Sequence, residues 1–142
     1  MQKNIRVLDT TLRDGEQTPG VHLDIHEKIT IAHALEALGV ATIEAGFPAS
    51  SPGDAAAVRA IAKAARRAEV AGLSRCVGSD IDAAGEALRD AAHPVMHLVI
   101  GTSDIHMEHK LGMSRAKLVG TIAKSVRHAR RWANEVQFSL ED

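Results

Sequence analysis

Apolar positions along the chain alternate between two periods. Residues 5–8 read as a short buried strand. Ile25, Ile29, Ala32, Leu35 and Leu38 then recur at helical spacing, behind Asp24 as a plausible N-cap with Glu27 three residues on, close to a capping box. Gly39 fits the left-handed position that ends such a helix. Residues 40–45 read as a second strand, and 54–67 as an Ala-rich helix behind Pro52 and Gly53. Residues 70–73 give a third strand, and Ser79 or Asp80 opens a helix carrying Ile81, Ala84 and Leu88. Residues 95–100 follow Pro94 as a fourth strand. Ser114 caps a long helix bearing Leu118, Ile122, Val126 and Ala129, and 136–138 form a fifth strand.

Strand and helix thus alternate four times before one further strand. Short strands separated by helices imply parallel pairing through right-handed crossovers. Two architectures fit this pattern: a doubly wound open sheet, or part of a (β/α)8 barrel. A whole barrel takes about 250 residues, so 142 residues would hold only the portion from the first strand to the fifth, as one domain over 1–142. Self-association is then expected, because a partial barrel leaves two open sheet edges.

Polar clusters follow the strand ends. They are Asp9-Thr10-Thr11-Leu12-Arg13-Asp14, then Glu44 to Pro48, Ser74-Arg75, Thr102-Ser103-Asp104, and Ser139 with Glu141. In parallel α/β folds ligands bind at the carboxyl ends of strands. Five such clusters at one rim point to a binding or active site.

Composition narrows the ligand. A net charge of −1 argues against nucleic acid and anionic membrane as partners. The aromatic residues are Phe47, Phe138 and Trp132, too few for a base-stacking platform. A lone cysteine, Cys76, cannot form an internal disulfide, so a reduced, cytoplasmic setting is expected. Asn4 and Arg6 interrupt the start early, unlike a signal peptide. No apolar run approaches the roughly 20 residues of a membrane span.

The Arg13-Asp14 pair offers two kinds of chemistry. The carboxylate is a hard oxygen ligand for Mg, Mn or Zn. The guanidinium stabilises a developing oxyanion and keeps its proton. Together they would polarise a 2-oxo acid. A structural ion pair at a loop explains the same two residues.

The longer string decides between them. "LDTTLRDGEQTPG" (8–20) resembles the signature of the acyltransferase family that includes 2-isopropylmalate, homocitrate and citramalate synthases, metal-dependent TIM-barrel enzymes. The likeness continues in "EAGFPASSPGD" (44–54), "GLSR" (72–75), "HLVIGTSDIHMEHKL" (97–111) and "VQFSLED" (136–142), and the later strings look most like the 2-isopropylmalate synthase branch. The resemblance implies a Claisen condensation of acetyl-CoA with 2-oxoisovalerate, with a divalent metal and a homo-oligomeric, usually dimeric, assembly. A citramalate or homocitrate synthase homologue, or a folded module without activity, are the alternatives.

It also implies roles. Asp14 is a metal ligand, and Arg13 stabilises the keto oxygen and the alkoxide. Leu73, His97 and Ser139 are walls of the 2-oxo acid pocket. Glu141 is an acid near the reacting carbonyl. Thr10, Thr11 and Gln17 hold the first loop in shape, and Asp9 and Glu44 support it by pairing with Arg13. The family's His-x-His metal motif occurs nowhere in these 142 residues, so this chain is expected to be incomplete and inactive by itself. His106 and His109 read as a solvated loop or subunit contact, and His22, His26, His33, His93 and His128 as surface residues. Cys76 reads as an ordinary small residue, and Arg127, Arg130 and Arg131 as a solvated face.

Overall fold

The computed structural model describes residues 5–142. Residues 1–4, including Asn4 of the signal-peptide argument, lie outside the described residues. Five strands, β1 (Leu8–Asp9), β2 (Thr42–Gly46), β3 (Glu69–Arg75), β4 (Pro94–Gly101) and β5 (Glu135–Glu141), alternate with four helices. These are α1 (Ile25–Leu38), α2 (Pro52–Ala64), α3 (Gly78–Leu88) and α4 (Arg115–Ala129). Every strand pair is parallel, and the order in the sheet is β1-β2-β3-β4-β5.

That order selects between the two candidate architectures. A doubly wound sheet must reverse its winding at some strand, which breaks the sequential order. Here each crossover advances by one strand in the same sense, so all helices cover one face. The sheet curls around the other, giving part of a TIM barrel.

Side-chain alternation follows from this. Ile43, Ala45, Val70, Met96 and Leu98 face outward and pack with Val58, Ile61, Ile81 and Leu88 of the helices in one core. Burying each of the Val, Leu, Ile and Met side chains contributes about 1.5–3 kcal/mol. The intervening positions, including Glu44, Leu73, His97 and Ser139, face the concave side.

Local signals explain most boundaries. Asp24 accepts from the Glu27 amide while the Glu27 carboxylate accepts from the Asp24 amide, and Gly39 closes α1 in the left-handed conformation. Ser114 caps α4 as expected. α2 begins earlier than the sequence pattern implied, because Pro52 occupies the first helical turn, where its missing N–H costs nothing, behind the Ser51 cap.

Two strands differ from expectation. β1 is displaced to Leu8–Asp9 and is not deeply buried, since Ile5 is 89% and Val7 54% exposed. It sits at the sheet edge with β2 as its only strand partner among the described residues. β5 is longer than 136–138 and runs to Glu141. Ser139 and Glu141 therefore lie within the strand rather than after it.

Two histidines also depart from a surface role. His106 lies in a π-helical turn (His106–Leu111), where its Nδ1 is 2.9 Å from the Ser103 hydroxyl. Its ring packs on Gly101, where any Cβ would come within 2.7 Å. His128 Nε2 is 2.7 Å from Asp82 Oδ1, and the Trp132 indole donates to the same oxygen at 3.0 Å. His109 is exposed, as expected. Burial pushes the Cys76 thiol pKa up despite a bond to Ser125, which fits an unreactive residue.

Candidate functional site

The first strand-end loop is built around its own backbone. The Thr10 carbonyl accepts from the amides of Arg13, Asp14 and Gly15 at 3.1, 2.8 and 3.1 Å. The Asp9 carboxylate accepts from the Thr11 amide at 2.9 Å and the Thr11 hydroxyl at 3.2 Å. Asp9 thus braces the turn through Thr11 rather than through the expected pairing with Arg13, because a short acidic side chain caps the turn that follows it. The Gln17 amide donates to the Asp14 carbonyl at 3.1 Å within a 3-10 turn, Gly15–Gln17.

This loop presents Arg13. Its Nε donates to Glu44 Oε2 at 2.7 Å and its Nη1 to Asp14 Oδ1 at 2.9 Å. Glu44 is fully buried on β2. Directly after it, still within the strand, β2 changes register against β3 between Glu44 and Gly46. Gly46 adopts φ +153°, and a Cβ there would lie 2.9 Å from Val58, so only glycine fits.

The second oxygen of Glu44 meets a different strand. His97 Nδ1 on β4 lies against Glu44 Oε1, and His97 Nε2 is 2.8 Å from the Ser139 hydroxyl on β5. Leu73 on β3 is the register partner of His97. A continuous line therefore runs from Asp14 through Arg13, Glu44 and His97 to Ser139. Burial raises the Glu44 pKa, but hydrogen bonds from His97 and Arg13 outweigh that and leave it below the usual glutamate value. Glu44 is a carboxylate here.

Glu141 stands apart from this line. Its carboxylate is 55% exposed and lies 3.8 Å from the Lys110 ammonium. Its strand is at the opposite sheet edge from β1.

Asp14 offers one hard oxygen donor. A divalent ion takes several such ligands, and among the described residues no group of three His, Cys, Asp or Glu side chains could hold one. Asp14 is the one carboxylate expected to face a Mg, Mn or Zn ion, and the remaining ligands of such a site are expected from outside this chain.

A cleft of about 780 Å³ opens beside Arg13, with Gln17, His22, Lys28, Phe47 and Ser50 on its walls. Two of its supports escaped the sequence reading. Lys28, buried in α1, donates to Glu16 at 2.6 Å and ties the first loop to the helix behind it. The Arg75 guanidinium lies 5.6 Å from the Phe47 ring centroid and bonds Asp80 at 2.6 Å. Only the position of Lys28, three residues after Ile25 and four before Ala32, hinted at the first, and nothing local hinted at the second.

Relatives of known kind match along essentially the whole chain. The chain is 57% identical over 140 residues to a 2-isopropylmalate synthase of Listeria innocua, covering 99% of this chain and 27% of the relative. It is 52% identical over 142 residues to a 2-isopropylmalate synthase of Staphylococcus aureus, covering 100% and 28%. The chain thus spans between a quarter and a third of the length of these relatives. Among solved structures, a hydroxymethylglutaryl-CoA lyase from Pseudomonas aeruginosa superposes with a TM-score of 0.71 at 20% identity, over 96% of this chain and 45% of that one. That likeness concerns the fold. A family model described as HMGL-like matches residues 4–142. The match takes in every strand-end residue described above, and the chain belongs to the HMGL-like family.

Proposed function

We propose that this chain carries the keto-acid side of an active site for 2-isopropylmalate synthase chemistry. In that reaction the methyl carbon of acetyl-CoA, once deprotonated, attacks the keto carbon of 2-oxoisovalerate. The keto oxygen becomes an alkoxide and takes a proton, and water then cleaves the thioester to release CoA. The observation that carries the reading is the buried Glu44 holding Arg13 at the rim of the concave face that also bears Leu73, His97 and Ser139. Identity of 57% and 52% to proteins of that name supports it.

In this reading Arg13 stabilises the developing alkoxide. Two of its five N–H donors are committed to Glu44 and Asp14, and the rest remain for the keto oxygen. A guanidinium held in place pays no reorganisation when charge forms. It keeps its proton, so it is not the acid of the reaction. Leu73, His97 and Ser139 wall the branched end of the keto acid, and acetyl-CoA lies in the cleft beside Arg13. Asp14 would contribute one oxygen to a divalent metal whose other ligands these residues do not supply. Glu141 is the acid at the end of the fifth strand. A homo-oligomer in the cytoplasm completes the reading. Among the described residues no helix is long and apolar enough to cross a membrane.

One ligand for a metal favours a second reading, a folded module that binds keto acid without turning it over. Titrating 2-oxoisovalerate into the ¹⁵N-labelled chain tests both. Shifts confined to Arg13, Leu73, His97 and Ser139 are expected, and their absence removes the first reading. CoA release on adding acetyl-CoA and a divalent metal removes the second.

A further inference from the structure

The line from Arg13 to Ser139 has a definite direction when its hydrogens are counted. Glu44 is ionised and can only accept. Arg13 Nε–H donates to one of its oxygens. The group facing the other oxygen is His97 Nδ1, which must then carry a hydrogen. In the neutral ring that leaves Nε2 as a bare acceptor, and the atom 2.8 Å away is the Ser139 hydroxyl. Ser139 therefore donates to His97.

We infer that Glu44 is a positioning residue that fixes His97 as its Nδ1–H tautomer, so that Ser139 meets the ligand with its hydrogen already spent. An imidazole in water prefers the other tautomer, so this arrangement is imposed by the buried carboxylate. The consequence is a wall without a free donor. Leu73, beside His97, is apolar. Gln137, the register partner of His97 on β5, lines a separate cavity with Arg6, Thr42 and Glu69. A neutral branched group meets Leu73 and the serine lone pairs at no electrostatic cost. A carboxylate at the same place meets lone pairs and finds no N–H or O–H. The specificity part of this inference rests on the 2-oxo acid reading above, and the tautomer does not.

Glu44→Gln reverses the line. The amide oxygen still accepts from Arg13, while the amide N–H donates to His97 Nδ1. The ring hydrogen then moves to Nε2 and donates to Ser139, whose own hydrogen is freed toward the ligand. Long-range ¹H–¹⁵N correlation of the imidazole rings in the full chain reads this directly. It is run at about pH 8, above the ordinary histidine range, with His97 assigned by its loss in His97→Asn.

Nδ1–H in the wild type and Nε2–H in Glu44→Gln are expected. A wild-type ring with Nε2–H or with both hydrogens overturns the inference, as does a folded Glu44→Gln with an unchanged ring. Should Glu44→Gln not fold, Ser139→Ala serves: Nδ1–H is retained while Nε2 moves toward its unbonded shift, and transfer of the hydrogen to Nε2 overturns the assignment. Titration with 2-oxoglutarate and 2-oxoisovalerate gives the specificity. Glu44→Gln is expected to shift the ratio of dissociation constants toward the diacid by about tenfold or more, the scale of one hydrogen bond to a charged group. A wild-type ring with Nδ1–H in a chain that binds neither acid keeps the tautomer and removes the 2-oxo acid reading. An inverted ring with an unchanged ratio overturns the specificity role.

Discussion

Glu44 and His97 stand on strands separated by a third, yet their side chains meet across it on the concave face. The residue beside Glu44 on the intervening strand is Ala71, which is small enough to leave the crossing open. The pair joins the two halves of the sheet independently of the backbone ladder.

The first prediction concerns acid. The folded-state pKa of Glu44 lies below its ordinary value, so the unfolded chain binds the proton more readily. The stabilisation is whole above the unfolded glutamate value, about pH 4.3, and is lost as pH falls through the folded one. Burial raises the Glu36 pKa, but backbone amides outweigh it and shift the group the same way, which adds to the slope. Urea midpoints should hold level down to about pH 5 and then fall. Glu44→Gln should lower the neutral-pH midpoint and make the acid limb shallower.

Glu36 itself supports the second. One of its oxygens accepts from the amides of Arg66, Arg67 and Ala68 at 2.9, 2.7 and 2.9 Å, pinning the loop after α2 to the end of α1. Glu36→Ala removes the acceptor from all three, and water replaces it only at the exposed positions. A loss of about 1–3 kcal/mol is expected, with faster amide exchange at 66–68. Unchanged protection there would show that the loop holds by other means.

Gly85 carries the third. It lies inside α3, where a Cβ would come within 2.1 Å of the Trp132 ring. Gly85→Ala should therefore cost at least about 1–3 kcal/mol from overpacking, despite alanine's better helix propensity. The chain has one tryptophan, so its fluorescence reports the displaced ring directly. Trp132→Leu should relieve part of the penalty in a double-mutant cycle.

The fourth concerns the Lys28–Glu16 pair. Its ammonium is buried, and the partner carboxylate is the anchor of the first loop. Lys28→Met keeps the aliphatic stem and removes the charge. Global stability should fall by about 1.5–3 kcal/mol, and the amides of Gly15 to Gln17 should lose exchange protection first. Equal loss of protection across all elements would mean that Lys28 serves the core and not the loop.

Legibility in the sequence followed the range of the interaction. The Asp24–Glu27 box, Gly39 and the Ser114 cap are completed within four residues, and each stood where the pattern implied. The parallel sheet was readable because strand and helix periods alternate. The choice of barrel over open sheet came from family resemblance, since periodicity alone carries no winding sense. β5 was underestimated because its concave positions are polar (Glu135, Gln137, Ser139, Glu141), which masks a strand buried on one face only. Long-range partners were harder. Arg13 with Glu44 was anticipated, but the His97 contact with Glu44 spans 53 residues and no spacing rule reaches that far. The burial of His106 depends on Gly101, and that of His128 on Asp82 and Trp132, none of which marks the histidine in its own neighbourhood.

The unbroken progression from β1 to β5 bears on how the chain comes to be made. Each strand's earlier partner lies a single helix back along the polypeptide. A nascent chain leaving the ribosome can therefore seat every new strand on one already in place, with no gap reserved for a late arrival. Each pairing still spans a whole helical crossover, as from Leu8 to Thr42, but the sequential order shortens the time for which an edge lies bare to other chains.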